Sequence, residues 1–324
     1  MAGGILTALS IGYLVPQMLQ QPIHFMTHSR FRHAINLVSD DVGMMALLGA
    51  ASGNAPKAIR LNLPTDWDWR RLSGDRRVTW GNGVLLGHGW SVDVRQASLW
   101  SPQRDGIQEL REPAPRTLDK LAQVLGTHSR EQRSCNLSSV FVGSLSLGWN
   151  GLSATSSPAL CEERVRAWIG CGPGLTPSGD DYLLGYLAAL WPWQRHPDLT
   201  SHLECVRELL KKYMCGTTDI SRFYLGQAVE GHFSESIHDL IDAVIRHATD
   251  EETSALAADV MNHGATSGAD AMAGILGGLR TVASVFHRRW SGSDEPSMPC
   301  PQETYGMATH EARDASCKHT MERQ

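Results

Sequence analysis

The hydrophobic pattern of the chain changes from a strand-like to a helical spacing along its length. The first half carries short runs of apolar or alternating residues, separated by Gly, Asn, Asp or Pro. Such runs predict β-strands joined by turns. The predicted strands are 34–40, 44–50, 57–63, 77–80, 83–87 and 90–100. Five of the ten tryptophans lie in this region and indicate a packed, β-rich core: Trp67, Trp69, Trp80, Trp90 and Trp100.

From residue 160 onward, apolar residues recur every three or four positions, which predicts amphipathic helices. The predicted helices are 160–170, 178–191, 199–214, a helix starting at Thr217 or Thr218, 236–248, 254–264 and 266–290, with an earlier helix over 117–126. The fold class is therefore α+β, with a β-rich N-terminal domain followed by a mainly α-helical C-terminal domain. Glycine-rich segments precede two of the helix N-termini.

The domain boundaries follow from this pattern. Residues 26–152 form the β-rich domain, in which 138–147 is a further candidate strand, and 160–290 form the helical domain. The small, polar stretch 153–159 is the predicted linker. Residues 1–25 are expected to be an N-terminal extension rather than a signal peptide, because they lack basic residues. Residues 291–324 are polar and Pro-rich, which predicts a disordered tail.

Composition and charge exclude some classes of partner and location for the chain. A net charge of -5 without clustered Lys and Arg argues against nucleic acid as a partner. The chain has no stretch of about 20 uninterrupted apolar residues, so no membrane span is predicted. The seven cysteines are scattered and form no CxxC pair. Such a set is typical of reduced thiols, and we expect a cytoplasmic protein.

The sequence that carries the clearest chemistry is CGPGLTPSGDDYLLGYLAALWP, residues 171–192. Its first half is rich in Gly and Pro, and its second half is an apolar helix that begins with Asp180 and Asp181. A glycine-rich loop before a helix exposes backbone N–H groups and the positive end of the helix dipole. This arrangement predicts a site for a small anion, with carboxylates beside it.

A second helix start repeats this pattern. Residues 178–190 and 267–279 both fit S-G-x-D-x-x-x-G-x-L-x-x-L. In each, the Ser and the Asp three residues later match a capping box, which gives Asp181 and Asp270 a structural explanation. The glycines inside the two helices predict close helix packing: Gly185, Gly274, Gly277 and Gly278.

Asp180 has no counterpart in the second copy, where Ala269 stands, and a capping box does not need it. Asp180 and Asp181 are thus the candidate catalytic residues. A third hydroxyl-rich helix start lies near Thr217, and convergence of the three starts would form an anion pocket. The candidate anion-binding residues are Gly174, Thr176, Ser178, Gly179, Thr217, Thr218, Ser221, Arg222, Thr266, Ser267, Gly268 and Asp270. His263 is interpreted as structural.

Three blocks, at 172–185, 217–231 and 264–279, resemble the signature blocks of the AllH-like proteins. The first half is similar more loosely, at 34–37, at the stretch ending in Trp80 and at 92–102. The resemblance implies that the chain is one of the three subunits of oxamate carbamoyltransferase. That enzyme converts oxalurate and phosphate to oxamate and carbamoyl phosphate in allantoin breakdown. The resemblance also implies other carbamoyltransferase subunits as partners in a hetero-oligomer, small anionic substrates, and no cofactor, with Mg²⁺ as an alternative.

Two alternatives stay open at this point. The adjacent acids at 180 and 181 would also suit Mg²⁺ in a nucleotide or acyl-phosphate kinase-like enzyme. The three blocks would equally serve a non-catalytic scaffold subunit, in which they only cap and pack helices. The chain lacks the Ser-Thr-Arg-Thr phosphate loop of ordinary transcarbamylases, so carbamoyl chemistry here would be a separate solution.

Overall fold

The computed structural model describes residues 4–72, 74, 76–102, 110–131 and 152–291. Its described residues form two compact units. Unit 1 comprises Met1–Arg111 with Glu230–Ala265, and unit 2 comprises Glu112–Val229 with Thr266–Gln324. This division differs from the sequence-based boundary at 153–159, because Glu112 already begins unit 2 and because residues 230–265 belong with the β-rich part. The predicted strand at 138–147 and the predicted tail beyond residue 291 lie outside the described residues.

The β-rich part of unit 1 is an eight-stranded barrel, which confirms the predicted α+β class. Its strands are β1 (Gly4–Gly12), β2 (Ile23–Arg30), β3 (Ala34–Ser39), β4 (Gly43–Gly49), β5 (Ala58–Asn62), β6 (Arg77–Gly81), β7 (Val84–Gly87) and β8 (Trp90–Asp93). The order β1-β5-β4-β3-β2-β6-β7-β8 closes on β1. A ninth strand, β9 (Ser98–Trp100), pairs with the end of β1. The single strand predicted over 90–100 is therefore two strands joined by a turn.

The N-terminal segment closes the barrel. β1 pairs antiparallel with β5 on one side and parallel with β8 and β9 on the other. The expectation of an N-terminal extension over 1–25 is thus corrected, since Gly4–Gly12 and the start of β2 are barrel strands. The sequence pattern did not reveal β1, because outward-facing Ile5 and Leu9 are as apolar as inward-facing Leu6 and Ala8. Alternation of apolar and polar residues, the usual strand signal, is absent where both faces are apolar.

Alternate strand residues fill the barrel interior with apolar side chains, as the period-two geometry of a strand requires. The tryptophans contribute packed rings, since Trp69 meets Trp67 and Trp90 edge to face at centroid distances of 5.3 and 5.1 Å. Trp69 is fully buried. A short helix, α1 (Val15–Met18), joins β1 to β2 and adds Val15 to this core. The barrel interior is therefore a core and not a channel.

Two further helices complete unit 1, and specific contacts explain why they belong to it. The backbone N–H and the side chain of Asn54, just after β4, donate to the carboxylate of Glu235. His263 Nε2 lies 2.7 Å from the carbonyl oxygen of Ser52. The helices are α7 (Glu235–Ile245) and α8 (Asp250–Met261), and the bonds of His263 to backbone oxygens agree with its structural interpretation.

Unit 2 is helical and is built around two closely packed helices. Its helices are α2 (Pro115–Glu131), α3 (Pro158–Trp168), α4 (Ser178–Leu190), α5 (Pro197–Tyr213), α6 (Asp219–Val229) and α9 (Ser267–Ser291). A Cβ atom on Gly185 of α4 would lie 2.0 Å from the Ala271 carbonyl oxygen of α9, and one on Gly274 would lie 2.0 Å from that of Tyr182. The predicted close approach of these helices is therefore confirmed.

Helix α9 is long and apolar enough to cross a membrane, yet 78% of its apolar window is buried inside the protein. Its apolar character is accounted for by its place in the core of unit 2. Three of the cysteines, Cys161, Cys171 and Cys205, are free thiols. Cys215 is disulfide-bonded, so the prediction of a fully reduced set is wrong for that residue.

Candidate functional site

The N-termini of α4, α6 and α9 converge in unit 2, as the sequence analysis hypothesised. The Thr217 hydroxyl, which precedes α6, donates to the carboxylate of Asp180 in α4. The Thr218 hydroxyl donates to the carbonyl oxygen of Leu175 in the glycine-rich loop. On the other side, the hydroxyls of Thr176 and Ser267 lie 2.7 Å apart and join the loop to the start of α9.

The loop before α4 is exposed over residues 171–175, whereas the helix start behind it is buried. Gly172 and Gly174 have φ values of 116° and 94°, which only glycine adopts readily. The Gly179 N–H donates to the carbonyl oxygen of Cys171 at 2.9 Å. Because this N–H group is already bonded within the loop, it is not available to an anion, contrary to the expectation from the sequence. Gly174 lies in open space, with nothing within 4 Å of its Cβ position.

Asp180 is a buried residue that fixes the local fold. It is 2% exposed, and its two carboxylate oxygens accept hydrogen bonds from the Gly170 N–H at 2.9 Å and from the Thr217 hydroxyl. Burial raises the pKa of Asp180, and the hydrogen bonds from Thr217 and Gly170 oppose that rise. The structural explanation that the sequence did not offer for Asp180 is therefore present in the fold.

The capping box predicted at Ser178 does not form. Pro177 occupies the N-cap position and Ser178 is the first helical residue, with no side-chain hydrogen bond at the cap. The reason is that Pro177, whose fixed φ suits a helix start, precedes the helix, and its single carbonyl oxygen accepts from the N–H groups of both Asp180 and Asp181. The carboxyl group of Asp181 is thereby released from a capping role.

Asp181 instead lies beside Thr176, Ser267 and Asp270. Its Oδ2 atom is buried and makes no hydrogen bond to any part of the chain that the structure describes. Burial first, and then the charges of Asp270 and Asp180, raise the pKa of Asp181 to about 8, although the hydroxyls of Ser267 and Thr176 oppose the rise. Asp181 therefore holds a proton at neutral pH and presents a neutral carboxylic acid.

Two neighbours complete the surroundings of Asp181. Asp270 is fully buried at the start of α9, and its N–H donates to the Thr266 carbonyl oxygen at 3.0 Å. Burial and then the charge of Asp181 raise the pKa of Tyr224 in α6. The sequence pattern did not single out Tyr224, because an aromatic residue at helical spacing is typical of a core position. Its place in the 217–231 block was the one available signal.

The other predicted residues occupy different parts of the same region. The Thr218 hydroxyl also caps α6 by accepting from the Ser221 N–H at 3.1 Å. Arg222 is exposed, and its Nη2 atom reaches the Thr217 carbonyl oxygen and the Asp219 carboxylate at 3.3 Å each. Ser178, Ser221 and Gly268 are buried. The structure thus brings the three helix starts together and leaves the loop and Arg222 open to solvent.

Replacing Asp180 with Ala is expected to lower the free energy of unfolding by about 1–3 kcal/mol, because the Gly170 N–H and the Thr217 hydroxyl lose their acceptor. Urea unfolding of Asp180→Ala, Thr217→Val and the double variant measures the coupling between the two side chains. A coupling near zero would contradict the structural role of Asp180.

Two family models match the chain. The model of the AllH family N-terminal domain matches residues 7–99, and that of oxamate carbamoyltransferase subunit AllH matches residues 168–279. The chain belongs to the AllH family. The first match coincides with the barrel and the second contains all three converging helix starts. No solved structure matches the chain.

The family assignment confirms the resemblance that the sequence blocks indicated and names the AllH chain as a subunit of oxamate carbamoyltransferase. A subunit implies further chains in a complex. Among the described residues, no group of three or more His, Cys, Asp and Glu side chains is arranged to hold a metal ion.

Proposed function

We propose that this AllH chain binds the small substrates of an oxamate carbamoyltransferase at the converging helix starts of unit 2. The observation that carries the proposal is the half-buried, neutral Asp181, whose Oδ2 atom is buried beside the hydroxyls of Thr176 and Ser267, in the matched stretch 168–279. The proposed reaction converts oxalurate and phosphate to oxamate and carbamoyl phosphate, in purine and allantoin catabolism.

A neutral Asp181 resolves the conflict between carboxyl groups and anionic substrates. Ionised carboxylates would repel phosphate and oxalurate, whereas a protonated carboxyl donates a hydrogen bond to an oxygen of either. Asp180 is 2% exposed, and its oxygens are taken by the Gly170 N–H and the Thr217 hydroxyl. We therefore assign the catalytic role to Asp181 and a positioning role to Asp180.

The proton of Asp181 has a specific use in this reaction. A phosphate oxygen attacks the ureido carbonyl carbon of oxalurate, and the bond from that carbon to the inner nitrogen breaks. The departing nitrogen takes a proton to become the amide of oxamate, and Asp181 supplies it as a general acid. In the reverse direction the ionised Asp181 removes the same proton as the oxamate amide attacks carbamoyl phosphate.

The anionic groups of the substrates are proposed to lie over the exposed loop. The open space at Gly174 admits a group close to the backbone, and the helix N-termini favour negative charge. Thr176, Thr218 and Ser267 supply hydroxyls, and the exposed Arg222 supplies a guanidinium beside the start of α6. The proposal includes a cytoplasmic hetero-oligomer with the other carbamoyltransferase subunits and no cofactor.

The kinase-like alternative requires both adjacent acids to bind Mg²⁺. Both carboxylate oxygens of Asp180 accept hydrogen bonds from Gly170 and Thr217, which argues against their use as metal ligands. The transferase therefore stands as the better-supported function.

The test is a turnover assay of the AllH chain purified together with the other subunits. Phosphate-dependent release of oxamate from oxalurate is expected. The variant Thr176→Val is expected to raise the KM for phosphate or oxalurate about tenfold, through loss of one hydroxyl at the site. Thr127→Val, on the exposed side of α2, is the matched control. A complex without phosphate-dependent turnover would overturn the proposal.

A further inference from the structure

Unit 1 contains a cavity whose lining shares no residue with the proposed transferase site. Its volume is about 820 Å³, within the range of small-molecule sites. One wall comes from the barrel, at the turn after β4 and at Arg60 of β5, and the other comes from α7 and α8. Charged side chains of both signs line it, together with apolar ones such as Leu63, Pro64 and Leu256.

The cavity has a fixed frame. Both carboxylate oxygens of Glu235 accept hydrogen bonds from Asn54, at 2.9 Å, and the Asn54 side chain accepts in turn from the Ser10 hydroxyl. His263 Nε2 and Nδ1 lie 2.7 and 3.0 Å from the carbonyl oxygens of Ser52 and Asp259, and a neutral imidazole donates to one of the two. The contacts of Asn54 and His263 join the turn after β4 to α7 and to α8, so the distance between the two walls of the cavity is fixed.

One side of the cavity is negative. Asp239 and Asp259 line it along with Glu235, and the C-terminal end of α8 adds its partial negative charge. Burial raises the pKa of Asp239, and the charges of Glu235, Asp242 and Asp259 raise it further. The negative charges on α7 and α8 therefore repel one another, and a cationic group placed among them would relieve that repulsion.

The barrel wall of the cavity carries the cation Arg60. Its nearest carboxylate contact is weak, since Nη1 lies 4.0 Å from Glu235 Oε2. Its Nε atom is buried and has no hydrogen-bond acceptor within the described part of the chain. A guanidinium with donors to spare is suited to a carboxylate, which accepts two parallel N–H bonds.

We propose that this cavity is a second binding site, whose ligand is a small amino acid that places its carboxylate on Arg60 and its ammonium group near Asp239 and Asp259. A ligand with both charges satisfies both sides of the cavity. A purely anionic ligand would meet three carboxylates, and a purely cationic one would leave Arg60 without an acceptor. The inference goes beyond the proposed transferase function and does not rest on it.

Calorimetric titration of the full chain tests the proposal with glycine, β-alanine, 4-aminobutanoate and 5-aminopentanoate as probes. At least one of them is expected to bind in the millimolar range or tighter. Its two singly charged analogues, the amine without the carboxylate and the carboxylate without the amine, should each bind at least about tenfold more weakly. The proposal is overturned if none of the four binds, or if a singly charged analogue binds as well.

Two variants locate the binding. Arg60→Gln and Asp239→Asn are each expected to weaken the best probe about tenfold or more. Asp41→Asn, an exposed acid at a turn of the same unit, should leave its affinity unchanged. Unaltered binding in a folded Arg60→Gln protein would overturn the assignment. Should either variant fail to fold, the comparison of probes on the unsubstituted chain still decides the matter.

Discussion

Asp181→Asn is expected to reduce kcat of the assembled complex about 10²–10⁴-fold, because the amide cannot donate the proton that the leaving nitrogen requires. Asn has nearly the size of Asp and stays neutral, so the packing around Thr176 and Ser267 should persist. Turnover measured with saturating oxalurate and phosphate checks the prediction. Because substrate binding uses other groups as well, KM should change less than kcat.

The pH dependence of the same variant gives an independent check. The pKa of Asp181 is raised to about 8, so the general acid is present below that pH and is lost above it. Turnover of the unsubstituted complex should therefore fall as the pH rises through about 8, and Asp181→Asn should lack this decline. If the complex with Asp181→Asn turned over as fast as the unsubstituted complex, the catalytic role of Asp181 would be refuted.

The contribution of Asp181 to the stability of the chain should change with pH in the opposite direction to that of an ordinary carboxylate. Since the folded pKa of Asp181 lies above its usual value of 3.8, the folded state holds a proton that the unfolded state releases between those two values. Its contribution to stability is thus complete at acidic pH and is lost as the pH rises through about 8. Asp181→Asn should be as stable as the unsubstituted chain near pH 4 and more stable near pH 9.

Gly185→Ala and Gly274→Ala are each expected to destabilise unit 2 by at least about 3 kcal/mol. The added Cβ atoms would lie 2.0 Å from the carbonyl oxygens of Ala271 and Tyr182, which are backbone atoms and cannot rotate away. The two helices would have to separate, and the starts of α4 and α9 that hold Asp181 and Ser267 would separate with them. Chemical unfolding of each variant measures the loss.

Gly226→Ala is the matched control for these glycines. Gly226 also lies inside a helix, α6, yet nothing is within 4 Å of its Cβ position. The substitution should stabilise the chain by about 0.5–1 kcal/mol, since alanine favours the helix without a clash. If Gly185→Ala proved as stable as Gly226→Ala, the close crossing of α4 and α9 would be contradicted.

Local patterns predicted most of the elements, because each depends on neighbours in sequence. Strands such as 34–40 and 44–50 were found from their short apolar runs between turns, and helices such as 199–214 from their apolar spacing. The glycines inside the two repeated helices also predicted that another element packs closely against each, since glycine inside a helix is costly unless it permits such an approach. These inferences require no knowledge of distant contacts.

The roles of the two adjacent acids depended on distant contacts. Local patterns explained Asp181 as a capping residue and left Asp180 without a structural explanation. In the fold, Pro177 replaces the expected cap, the Gly170 N–H and the Thr217 hydroxyl bind Asp180, and the carboxyl group of Asp181 remains beside Asp270. Thr217 is 37 residues from Asp180, and sequence spacing cannot place a partner at that separation.

The sequence by itself thus determined the succession of strands and helices, the close helix pair and the stretch in which the site lies. The tertiary structure decided that Gly4–Gly12 closes the barrel, that residues 230–265 pack with it, and which acid is free for chemistry. The reason is physical: strand and helix formation follows from local periodicity. Barrel closure and the proton on Asp181 follow from burial and from charges that only folding brings together.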